Sequence, residues 1–136
     1  MVSRPTHSSL RERGFTLLEL MAVMFIMSVL AGIAMPQFRV SVIRAREAVL
    51  LEDLFQFRDL IDQYYADKGR YPPSLETLVE EGYLRRIPKD PFTGMADWQV
   101  VYEEPSADDF SLEVGIYDIH SSAPGTSLSG TPYNEW

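Results

Sequence analysis

FTLLELMAVMFIMSVLAGIAM, residues 15–35, contains a single ionisable side chain, Glu19, in a run otherwise free of charge. About 20 apolar residues is the length at which a helix spans the hydrocarbon core of a bilayer. A chain of 136 residues is too small to surround such a helix on all sides. Residues 15–35 therefore read as a helix that meets lipid or other helices. The rival reading is a secretory signal peptide, with a basic head, an apolar middle and the small-x-small triplet Gly32-Ile33-Ala34 as cleavage site. Glu19 inside the run and Pro36 close behind the triplet count against it. Arg39, Arg44 and Arg46 follow the segment as closely as Arg4, Arg11 and Arg13 precede it, so the positive-inside count leaves orientation open.

Helical spacing continues past Pro36. Val42, Ala45, Val49, Leu50, Leu54, Phe57, Ile61 and Tyr64 or Tyr65 recur at intervals of three and four, with charged residues between them. The pattern predicts one helix from about residue 15 to 67, roughly 80 Å long at 1.5 Å per residue, kinked by Pro36. Arg58 and Asp62 are spaced to pair on its exposed face. Gly69, Pro72 and Pro73 end it. A short second helix is expected after Ser74 as N-cap, with Leu75, Leu78 and Val79 inward and Gly82 as terminator. Residues 88–94, PKDPFTG, are turn-rich. Alternation over Trp98–Glu104 and Phe110–Tyr117 predicts an antiparallel hairpin, and Asp118–Trp136 reads as loop. The fold class is α+β. So small a head, without disulfides, needs the apolar stripe of the long helix as half of its core.

Twelve basic side chains against 20 acidic ones give a net charge of −8, and there is no cysteine. Phosphate neutralisation needs clustered cations, so a nucleic-acid partner is not expected. Thiol chemistry and disulfides are excluded. Residues 1–14 carry +2, and everything from Phe15 onward carries −10.

Glu19 is the residue to explain, because a carboxylate at membrane depth costs several kcal/mol unless it is paired or near the interface. A cut between Gly14 and Phe15 would create an α-amino group with a pKa of about 8 four residues before it. That amine could pair with Glu19, within one helix or between staggered copies.

Arg13-Gly14-Phe15-Thr16-Leu17-Leu18-Glu19 resembles the processing motif of type IV pilins and type II secretion pseudopilins. The resemblance implies a leader at 1–14, cleavage by prepilin peptidase after Gly14, N-methylation of Phe15, and assembly roles for Phe15, Glu19 and the helix-kinking Pro36. Further along, YYADKGRYP at 64–72, LETL at 75–78, YLRRIPKDPFTG at 83–94 and the tryptophan-containing YNEW at 133–136 resemble the major, G-type pseudopilin. The bland reading of these later stretches is structural, as turn residues and aromatic cover for the helix, and the two readings agree.

The resemblance implies a pilin-like fold with three parts: leader 1–14, transmembrane and filament-core helix 15–35, and a periplasmic head 36–136. It implies a single-pass protein of the bacterial inner membrane that polymerises into a periplasmic pseudopilus and helps export folded proteins. Implied partners are further copies of the chain, minor pseudopilins, prepilin peptidase, the inner-membrane assembly platform and inner-membrane lipid. A type IV pilin for adhesion, twitching motility or DNA uptake is the alternative, disfavoured because many such pilins close their C-terminal loop with a disulfide. The chain has no Gly-rich phosphate loop followed by Lys, so any ATP-driven motor is another protein.

The G-type family also implies a structural calcium ion in the C-terminal loop. Asp118, Ser121 and Glu135 are its candidate ligands here, but the loop offers only two carboxylates where calcium takes six to eight oxygens. No cofactor is otherwise required. An enzyme is the competing class: Asp118, His120 and Ser121 or Ser122 could mimic part of a nucleophilic triad, with no oxyanion turn in sight.

Overall fold

The computed structural model describes residues 14–104 and 114–136. The leader up to Arg13, the expected turn at 105–109 and the expected strand residues 110–113 lie outside them. The chain divides into two compact units, Met1–Arg39 and Val40–Trp136.

One helix, α1, runs Leu17–Lys68 and contains Pro36. It begins at Thr16, whose Oγ1 accepts the Glu19 N–H at 3.2 Å and whose carbonyl accepts the Leu20 N–H. This is the capping arrangement that a Thr-x-x-Glu sequence favours. In the first unit, every large apolar side chain from Phe15 to Met35 is exposed.

In the second unit, α1 contributes Leu50, Leu54, Phe57, Ile61 and Tyr64 to the core, all buried at the expected three- and four-residue spacing. Val49 and Tyr65 of the expected stripe stay about half exposed. A second helix, α2, spans Leu75–Glu80; the Ser74 hydroxyl accepts the Thr77 N–H, and Leu75 and Leu78 are buried. Gly82 ends it at φ 82°, a left-handed conformation that glycine adopts without strain. Residues 88–94 turn around Asp90. Its buried carboxylate accepts the N–H groups of Phe92 and Thr93, and its carbonyl accepts that of Gly94.

The sheet is one antiparallel pair, β1 at Gln99–Tyr102 and β2 at Ile116–His120. β2 continues past the end at Tyr117 that the alternation predicted, so Asp118–His120 is strand where loop was expected. The reason is a bulge. Val101 faces Asp118 while Tyr102 faces Ile116, which leaves Tyr117 as an extra residue. The bulge shifts the inward phase by one, so Ile116 and Ile119 are both buried although three apart. Trp98, just before β1, packs edge-on to Phe57 at 5.1 Å and donates its indole N–H to the Pro88 carbonyl. At the start of β2, Gly115 is pressed against Tyr71, and a Cβ there would lie 2.7 Å from the Tyr71 backbone.

Beyond β2, residues 121–136 form a loop that ends in a short 3-10 turn at Tyr133–Glu135. Tyr133 is buried between Phe92, stacked at 4.2 Å, and Trp136 at 5.4 Å.

Candidate functional site

The sequence places the first group of candidates in and around one helical turn, and the structure keeps them there. Phe15 is 86% exposed, and Glu19 sits one turn into α1 among the exposed side chains of Leu18, Leu20 and Met21. The other polar side chains of the apolar segment bond locally. Thr16 Oγ1 accepts the Glu19 N–H, and Ser28 donates to the Met24 carbonyl at 2.8 Å, which keeps the Ser28 O–H paired in an apolar setting. No side-chain partner for the Glu19 carboxylate occurs among the described residues. Among the described residues nothing covers this long apolar surface, and exposed apolar patches of such size are the kind that membranes or other proteins cover. By length and composition, α1 is able to cross a bilayer.

The second group, in the head, is dispersed among different partners. Asp118 accepts from Arg58 Nε at 2.8 Å and from the Ile119 N–H at 2.7 Å. Partial burial pushes its carboxyl up, but the Arg58 hydrogen bond, the Ile119 N–H and the Arg58 charge outweigh this and hold it below the usual carboxylate range. Arg58 is therefore committed across the fold to β2, where sequence spacing had paired it with Asp62. It also donates to the carbonyls of Ile119 and Trp136. Ser121 is buried and donates to Asp90. Glu135 is exposed on the 3-10 turn.

The triad-like residues form no relay. His120 Nε2 lies 3.5 Å from Asp118, but Ser121 is bonded to Asp90 and Ser122 to the Asp97 carbonyl, so neither serine engages the imidazole. A serine nucleophile requires that hydrogen bond.

Two residues that the sequence reading passed over organise the site. Thr16 was recoverable from its Thr-x-x-Glu spacing. Glu47 gave no local signal: it reaches from α1 to the C-terminal loop, where Oε1 accepts the Leu128 N–H at 2.7 Å and the Tyr133 hydroxyl at 3.0 Å. Burial and then this Glu47 bond push the Tyr133 phenol up.

A capped apolar helix with one carboxylate in its first turn, continuing into a small α+β head, has the architecture of a pilin-like protein. Comparison with known proteins narrows the class. Residues 9–35 match the model of the prokaryotic N-terminal methylation motif. The chain is 32% identical over 130 residues to the type II secretion system core protein G of Escherichia coli K12, covering 84% of this chain and 83% of that protein. It is 34% identical over 120 residues to the protein of that name from Klebsiella pneumoniae, covering 75% and 84%. The Vibrio cholerae protein of that name is 32% identical over 97 residues. No solved structure matches the chain. The chain belongs to the type II secretion system core protein G family.

Proposed function

We propose that the chain is a structural subunit of a type II secretion pseudopilus, processed by prepilin peptidase between Gly14 and Phe15 and polymerised through its apolar helix. The observation that carries this reading is the wholly exposed apolar surface from Phe15 to Met35, whose single charged side chain is Glu19, on a member of the core protein G family. In the free subunit that surface is covered by inner-membrane lipid, with the acidic head in the periplasm. In the filament it is covered by helices of other copies.

Glu19 decides between the two states. A lone carboxylate at membrane depth costs about 2.5–3.5 kcal/mol on insertion scales. Pairing with the methylated α-amine of Phe15 on a neighbour removes most of that cost, so addition to the filament is favoured over the membrane-resident subunit. Lateral packing of the apolar side chains supplies area, and the ion pair supplies register. Minor pseudopilins and an inner-membrane assembly platform complete the machine, and the driving ATPase is a separate protein.

The test is Glu19→Ala, read by pelletable filament formed in cells and by retention in the membrane fraction. Membrane retention is expected to persist while filament yield falls at least tenfold. Filament formed at the native rate and amount contradicts the pairing.

A further inference from the structure

We infer that the C-terminal loop of this chain is latched to the long helix by the Glu47 carboxylate, and that its fold does not depend on the calcium ion the family resemblance implies. A calcium cage converges six to eight oxygen lone pairs, several of them charged, on one point. Of the three candidate ligands, Asp118 and Ser121 are otherwise engaged and Glu135 stands apart from both. Asp118 faces Arg58 and the Ile119 N–H, the Ser121 hydroxyl donates to Asp90 and accepts the Ala123 N–H, and Glu135 points out on an exposed turn. Among the described residues, no three acidic or histidine side chains gather as a metal site.

The polarity of the loop is also the reverse of a cage. It turns donors inward, the Leu128 N–H and the Tyr133 hydroxyl, and both converge on one oxygen of Glu47. The negative charge comes from the helix, and the loop solvates it. The loop's own oxygens are meanwhile used internally: Ser127 Oγ accepts the Thr131 N–H at 3.1 Å, the Thr131 carbonyl accepts the Ser127 N–H at 2.8 Å, and the Ser127 carbonyl accepts the Gly130 N–H at 2.9 Å. Glu47 and Arg58 stand about 11 residues apart, three helical turns, and so share one face of α1. Glu47 holds the loop at Leu128 and Tyr133; Arg58 holds Asp118, Ile119 and the Trp136 carbonyl. Two side chains of one helix thereby fasten the segment at both ends.

The test is thermal melting of the full chain in detergent, in millimolar calcium and in excess chelator. The wild-type midpoint is expected to agree within about 1 °C, because a structural site filled at a hundred times its dissociation constant would raise it by about 10 °C or more. Glu47→Ala is expected to lower the midpoint by about 5 °C in both solutions. Glu47→Gln, which keeps an acceptor oxygen, is expected to lose about half as much. A calcium-dependent rise of the wild-type midpoint, or a Glu47→Ala protein that melts like wild type, overturns the inference. Because the readout is the melting of the subunit, failure here is distinguishable from failure of filament assembly.

Discussion

The apolar segment from Phe15 to Met35 and the head from Val40 onward use helix α1 in opposite ways. In the head, the helix has partners within the chain from Glu47 onward: Leu50, Leu54, Phe57, Ile61 and Tyr64 are buried, Arg58 is bound to β2, and Glu47 is bound to the loop. In the apolar segment the same backbone carries side chains that are exposed without exception. A helix that completes its contacts inside one chain is a scaffold. One that completes none of its apolar contacts among the described residues presents the surface that the proposed filament would bury. The difference separates what folds the subunit from what assembles it, so the two should respond independently to mutation.

The largest effect expected from that separation is on solubility. A chain begun at Val40 keeps the whole buried cluster and should be soluble, monomeric and cooperatively folded without detergent, as read by size exclusion and melting. Aggregation or loss of the cooperative transition would mean that the head depends on the apolar segment.

Gly115→Ala should come next. The added methyl meets the Tyr71 backbone at 2.7 Å, where no flexible side chain can yield. A loss of about 2 kcal/mol is expected from overpacking, measured by denaturant melts of the Val40 chain, and it should leave the membrane association of the full chain unchanged.

Arg58→Ala should cost about 1–3 kcal/mol at neutral pH, because Asp118 and two carbonyls lose their donor. Its pH signature is smaller and more specific. Asp118 is held below its unfolded pKa of about 4, so its stabilisation is complete above that pH and is lost as pH falls through the lower folded value. Removing Arg58 should flatten that acid-side decline, as read by melting midpoints from neutral pH down to about pH 2. An unchanged slope would show that Arg58 does not set the Asp118 titration.

Local patterns were legible in the sequence where the cause was local. The spacing of Leu50 to Tyr64, the Ser74 cap, the turn around Asp90 and the Gly82 stop each follow from a few neighbouring residues, and each is found. Glu19 was legible because a single charge within an apolar run has no ordinary explanation. Interactions set by long-range approach were not legible. Arg58 had an eligible partner four residues away, and only the folded arrangement brings Asp118 closer. The end of β2 is hidden from the pattern because the bulge at Tyr117 breaks the two-residue alternation from which strands are read. Glu47 looked like any surface glutamate, since its partners are a backbone N–H and a phenol more than 80 residues away.

On the proposed function, the apolar segment begins the mature chain and exists to assemble. Intact mass and N-terminal sequencing of the protein taken from its native membrane test it most directly. The expected chain starts at Phe15 and carries one extra methyl group on its amine. A chain that starts at Met35, or one that retains Met1, would contradict the proposed function.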